Sequence, residues 1–341
     1  MIPIFDLHAD VFMDLVRRTE SSCRPAPGGS VRGATAQAEL EERHLGRIRS
    51  GGIFGAVLTD CRMAGESAGP EHLEQFIVKV KLELDAAGER VIRVRATADI
   101  CRALSSKTFA AIVGYEGLTA TRGELSWIRR LHKEADLRVA VLTHNDDNIF
   151  GGGALGDRGG LPGPAALGLT EKGREAVALM NDLGILIDMS HASKATRRDI
   201  LAASTRPVML SHSSSKAVYD NGRNLSDEEL RAIADKDGLI GCMTSPAALA
   251  PMSNRNHHSL ERYIEHLRRM IAAAGIDHVG LGLHFCEYLY TPEEYPPVTG
   301  LEDASRAQAI PEALLASGLS ADDVEKIAWK NFARIFSQAV G

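Results

Sequence analysis

Short apolar runs alternate with amphipathic stretches along nearly the whole chain. The runs fall at 2–7, 53–58, 109–114, 138–142, 185–189, 207–210, 238–243 and 279–283. They are mostly continuous rather than alternating, as in strands buried on both faces. Between them lie stretches with helical spacing of apolar residues, such as 40–50, 71–87, 124–133, 171–183, 194–203, 227–234 and 260–274. Strand followed by helix, repeated eight times in about 280 residues, predicts a (β/α)8 TIM barrel better than an open sheet. Residues 1–341 are therefore expected to form one barrel domain. A last helix, about 322–338, is expected to pack outside the barrel.

Two segments exceed the minimal unit. Residues 10–35 follow the first strand. Residues 146–169, which include GGGALGDRGGLPGPAALG, follow the fourth. Both leave strand C-termini, the face on which barrels carry their chemistry, and loops of this length are commonly functional.

Composition narrows the function classes. The 341 residues carry a net charge of -6 with no long basic run, which argues against broad nucleic-acid binding. No apolar stretch reaches the ~18 residues of a membrane span. The opening MIPIFDLHAD lacks the basic start and apolar core of a signal peptide, so a cytoplasmic location is expected. Five cysteines, at 23, 61, 101, 242 and 286, are widely spaced and include no CxxC, which fits neither a disulfide framework nor a zinc ribbon.

The histidines carry more information. The first strand ends in Asp6-Leu7-His8-Ala9-Asp10, and residues two apart on a strand point the same way. An imidazole and a carboxylate converging at a barrel mouth suit a metal such as Zn2+, although the same motif also fits a strand-end His with a capping Asp. The other strand ends tip the balance. They read GYEG (Glu116), LTHN (His144), DMSH (His191), LSHS (His212) and GLHF (His284). Five of twelve histidines stand just past apolar runs, at one face. The others, His44, His72, His132 and His266 in helical patterns, His278 before the last strand, and the pair His257 and His258, are read as surface or solvated residues.

With these motifs in view, the chain resembles the renal-type membrane dipeptidases of the metal-dependent amidohydrolase superfamily. The matching pieces are DLHAD, GYEG, LTHND, GLTEKGREAVALMNDLGILIDMSHAS, PVMLSHSSSKAVYDNGRN and GIDHVGLG, with a similar C-terminal segment. The resemblance implies a TIM barrel of the metal-dependent hydrolase type with two zinc ions per chain. By it, His8 and Asp10 hold one zinc, Glu116 bridges both, and His191 and His212 complete the second site. His144 would contact the substrate carbonyl oxygen, and Arg223 the substrate's terminal carboxylate. Two cations lower the pKa of a shared water, so hydroxide becomes available to attack an amide carbon.

One position departs. The family ends its last barrel strand with an Asp that shuttles a proton from water to the leaving amine. His284 stands there, and Cys286 replaces the following acid. His284 could serve as the base, add a metal ligand, or mark lost hydrolysis; Cys286 reads as a partly buried spectator thiol. The expected function is zinc-dependent hydrolysis of a dipeptide or dipeptide-like amide, with Glu116, His144 and His284 in catalysis. Its small-molecule substrate carries a free carboxylate; no nucleic acid or membrane takes part, and the resemblance suggests a homodimer. The alternatives are an amidohydrolase acting on a non-peptide amide or specialised metabolite, and a metal-containing binding protein or pseudoenzyme.

Overall fold

A computed structural model describes residues 1–22, 39–61, 69–155 and 167–341. Cys23 and about half of each long segment (23–35 and 156–166) lie outside the described residues. Among the described residues there are nine parallel strands: β1 (Ile4–Ala9), β2 (Ile53–Leu58), β3 (Val91–Arg93), β4 (Phe109–Glu116), β5 (Leu137–Val141), β6 (Leu186–Asp188), β7 (Met209–Ser213), β8 (Leu239–Cys242) and β9 (Val279–Leu281). Eight of them run in the order β1-β2-β4-β5-β6-β7-β8-β9. These are the eight strands of the apolar pattern, and they form a nearly closed TIM barrel. The remaining strand, β3, pairs with the first part of β4 (Phe109–Ala111), whereas β5 pairs with the second (Val113–Glu116). Its three residues are too few for a period to be read.

Closure between β9 and β1 uses single bonds instead of a ladder. The Leu283 N–H donates to Asp6 Oδ1 at 2.8 Å, and the His284 N–H donates to the His8 carbonyl at 3.2 Å. Close strand approach also needs glycine at two points. A Cβ on Gly241 or Gly282 would lie 1.8 or 1.7 Å from the Ser211 carbonyl oxygen.

The helices follow the amphipathic stretches, including Pro70–Ala87, Glu171–Leu183, Lys194–Ala203 and Leu260–Ala274. Side-chain caps mark several starts: Thr170, Ser193 and Ser259 each accept the N–H three residues on, and Ser226 forms a capping box with Glu229. Part of the expected long connection after β1 is instead the helix Val11–Ser22, which begins directly after Asp10.

The interior divides into an apolar floor and a polar mouth. Phe5, Leu7, Val57, Ala110, Ile112, Val139, Leu186, Met209 and Leu239, one or two from each of seven strands, share one apolar cluster. Phe332, Ile335, Phe336 and Ala339 of the last helix, Asn331–Ala339, join it. The Phe332 ring stacks on Phe5 with centroids 4.5 Å apart. The terminal helix therefore packs into the barrel's core cluster at its N-terminal end rather than only against the outside. A period-3.6 pattern shows which helix face is apolar but not what it covers. Phe332→Ala removes a ring that is 2% exposed. It should cost about 3–5 kcal/mol of stability, read as a lower denaturation midpoint at unchanged m, with metal content intact.

Candidate metal centre

Every sequence-predicted site residue reaches the mouth. His8 lies within β1, Glu116 ends β4, His144 and His191 follow β5 and β6, His212 lies within β7 and His284 follows β9. The route in β1 differs from simple strand parity. Leu7 enters the apolar cluster, and a register irregularity between Asp6 and Ala9 lets the next residue, His8, face the site. His191 and His284, with φ of +63° and +55°, adopt left-handed backbone, as does Asn145 at +59°. Such conformations are uncommon outside glycine and gather at functional sites.

Glu116 is at the centre. Its Oε1 lies 3.0 Å from His191 Nε2 and 3.7 Å from His212 Nε2. Its Oε2 lies 3.6 Å from His144 Nε2 and 3.9 Å from His8 Nε2. His8 Nε2 is 3.2 Å from Asp10 Oδ1. Three groups of three potential ligands share this one carboxylate: Glu116, His191, His212; His8, Asp10, Glu116; and Cys61, Glu116, His144.

Residues that sequence reading passed over orient these rings. His191 Nδ1 is 2.7 Å from Asn145 Oδ1, and His212 Nδ1 is 2.8 Å from Ser211 Oγ. With each Nδ1 protonated toward these oxygens, the Nε2 lone pair faces inward, the arrangement of a metal-binding imidazole; Arg223 Nη1, 2.9 Å from His191 Nδ1, competes for that nitrogen. The two Nε2 atoms are then 2.9 Å apart, beside Glu116 Oε1, which is buried without a hydrogen-bond donor. Lone pairs crowded this closely call for a positive charge among them, so the donor set fits a divalent cation.

Two buried aspartates hold the backbone beneath. Asp6 Oδ1 accepts the N–H of His8 at 3.1 Å as well as that of Leu283. Asp188 Oδ1 accepts from Ser190 N–H at 2.9 Å and Ser211 N–H at 3.0 Å. Burial pushes Asp6 up to about 7 and raises Asp188. The signal for both was a charged residue inside an apolar run, in DLHAD and DMSHAS.

Electrostatics divides the imidazoles. Burial opposes the charged form of His8, but the carboxylates of Glu116 and Asp10 push it up to about 9. Burial carries His191 and His212 well below the usual range and lowers His284. Burial also disfavours the Glu116 carboxylate, yet the His191 and His8 imidazoles hold it well below the usual range.

Arg223 reaches the centre from the loop after β7. Its Nη2 lies 3.1 Å from His191 Nε2 and 3.2 Å from His212 Nε2, and burial lowers it to about 10. A guanidinium thus faces the same lone pairs that suit a cation. His284 Nε2 is 3.5 Å from Asp10 Oδ2, and its ring stacks on His8 at 5.3 Å. Cys286 is more enclosed than its reading as partly buried, at 2% exposure, and burial drives its thiol pKa well up.

Several histidines expected at the surface are buried. His44 Nε2 pairs with Asp14 Oδ2 at 3.1 Å, and His72 Nε2 with Asp60 Oδ2 at 2.6 Å. His266 donates from Nε2 to the Leu249 carbonyl and accepts at Nδ1 from Ser215 N–H; burial lowers it to about 4. His258 is buried as well, while its neighbour His257 is exposed. A helical pattern gives the face of a ring but not the buried partner that lets it turn inward.

A profile of the membrane dipeptidases, peptidase family M19, matches residues 1–340. The chain belongs to that family. An uncharacterized dipeptidase of Schizosaccharomyces pombe is 31% identical over 228 residues, covering 67% of this chain and 52% of its own length. The chain therefore spans about half of that relative. Dipeptidase tcpJ of Claviceps purpurea is 28% identical over 307 residues, 88% of this chain and 69% of its own. Among solved structures, a Rhodobacter sphaeroides metallopeptidase liganded with a phosphinate mimic of L-Ala-D-Ala superposes with a TM-score of 0.80 at 22% identity, covering 99% of each chain. That likeness bears on the fold. Among the described residues, no helix is long and apolar enough to cross a membrane.

The shared carboxylate makes the metal content testable. Protein stripped and resupplied with two equivalents of zinc should retain close to two per chain. Glu116→Ala should lose more metal than His8→Ala or His212→Ala by elemental analysis, and equal losses would show that Glu116 serves one ion at most.

Proposed function

We propose that the protein is a zinc-dependent dipeptidase-like hydrolase, cleaving the amide bond of a small substrate that carries a free carboxylate. The observation that carries this reading is the pair of ligand groups joined through Glu116, in a chain of the membrane dipeptidase family. His8 and Asp10 would hold one zinc, His191 and His212 the other, and Glu116 both. Bound there, divalent ions make water acidic and polarise a carbonyl.

The protein's own groups have separable tasks. His144, with Nε2 3.6 Å from Glu116 Oε2, is the donor to the carbonyl oxygen as negative charge develops on it. Arg223 binds the substrate carboxylate through its planar fork. It must first leave the nitrogens of His191 and His212, because a guanidinium and a dication cannot share their lone pairs. His284, kept neutral by burial, accepts a proton from the attacking water at a ring nitrogen and returns it to the departing amine. An Asp becomes neutral on accepting that proton, whereas His284 becomes a cation beside other cations. Turnover is therefore slower with His than with an acid at this position.

The deciding assay supplies zinc and a mixed dipeptide panel including L-D forms. Turnover of at least one dipeptide is expected, and none from a fully loaded protein would remove the peptide reading. Free dipeptides should be preferred to dipeptide amides, and Arg223→Ala should erase the preference, at about 2–5 kcal/mol. His284→Asp should raise turnover about tenfold, or ~1.4 kcal/mol of barrier. In the parent, activity should be lost at acid pH, since the neutral imidazole is lost as pH falls through its lowered pKa. Slower turnover in the His284→Asp variant than in the parent would make His284 an adapted base.

A further inference from the structure

The two oxygens of Asp10 face different neighbours. Oδ1 lies 3.2 Å from His8 Nε2 and accepts from Thr59 Oγ1 at 3.0 Å. Oδ2 lies 3.5 Å from His284 Nε2 and 4.0 Å from Cys286 Sγ. Cys286 Sγ is itself 3.3 Å from His284 Nδ1. One potential ligand atom from each of Asp10, His284 and Cys286 lies within 4.8 Å of the other two. The group repeats the logic of its neighbours. Glu116 joins the set around His191 and His212 to the set around His8, and Asp10 joins that set to His284 and Cys286.

The groups differ in softness. The two assigned to zinc offer nitrogen and oxygen, whereas the outer one adds sulfur, as does a further group in which Cys61 joins Glu116 and His144. A thiolate shifts preference toward thiophilic ions. We propose that Asp10, His284 and Cys286 form a third cation site, taking a thiophilic dication such as Cd2+ or surplus Zn2+, and that filling it stops hydrolysis by engaging His284. On binding, the Cys286 thiol releases its proton to solvent and Sγ bonds to the ion, with no change of oxidation state. The thiolate and the shared Asp10 carboxylate offset part of the charge of the added dication, and the neutral imidazole completes the donor set. The inhibitory half rests on the hydrolase reading above; the binding half does not.

The test loads stripped protein with two equivalents of Zn2+ and titrates it with Cd2+. Thiolate-to-cadmium absorption in the ultraviolet should grow to one equivalent, and elemental analysis after desalting should find three ions per chain. Cys286→Ser should lose the absorption and hold two ions. Cys61, which stands near Glu116 and His144, supplies the control: Cys61→Ser should keep both. Dipeptide turnover should fall at least tenfold as the absorption saturates, and Cys286→Ser should escape that loss. Absorption that never appears, that persists in Cys286→Ser, or that comes with only two ions in total would overturn the third site. Absorption with undiminished turnover would overturn the inhibition. Two retained zinc ions without the absorption would sink this site and leave the hydrolase reading standing. The absorption in a protein inactive on every dipeptide would do the reverse.

Discussion

Glu116 is a buried carboxylate surrounded by imidazole lone pairs, and the arrangement at the barrel mouth answers to that placement. A buried anion is costly unless charge and hydrogen bonds compensate it. Here Oε1 lacks a hydrogen-bond donor, while His191 Nε2 stands 3.0 Å away and His212 Nε2 at 3.7 Å. Asn145 and Ser211 tie up the outer nitrogens of those rings, so the inner ones are free to point at the carboxylate. The neighbours thus concentrate electron pairs around a single point, which suits a positive ion.

Such a cluster holds its shape only if the backbone beneath it is fixed. Asp6 and Asp188 do this by the same means on opposite sides. Each accepts the N–H two residues ahead and one from a neighbouring segment: Leu283 for Asp6, Ser211 for Asp188. Asp6 thereby helps close the barrel at the seam where β9 and β1 share no ladder. Beneath them lies the apolar cluster, which Phe332 and Phe336 complete. Phe332→Ala tests the floor separately from the mouth, because no metal-ligand candidate belongs to that cluster.

How much of this could be read from the chain depended on the range of the signal. The eight apolar runs mark the eight barrel strands because burial on both faces leaves a continuous local pattern. The site residues could be named because all but Arg223 end or closely follow such a run. Long-range information was absent. Nothing local says that Phe332 stacks on Phe5, that His44 and His72 turn inward to Asp14 and Asp60, or that three residues at Val91–Arg93 extend the sheet. The irregularity after Asp6 is similar: parity brings His8 and Asp10 to one face, yet it cannot place Leu7 in the floor and His8 in the mouth.

Arg223 ties these levels together. It is the positive group nearest the crowded nitrogens, with Nη2 3.1–3.2 Å from both and Nη1 3.3 Å from Asn145 Oδ1. Any dication bound by His191 and His212 competes for the same electron pairs and repels the guanidinium. Ion binding and release of Arg223 are therefore linked in one equilibrium. An anionic group that pairs with the released fork favours the ion-bound form, and by reciprocity the ion favours the anion. The carboxylate preference assigned to Arg223 should consequently depend on occupancy of the His191–His212 group, and hardly at all on the residues around Cys286.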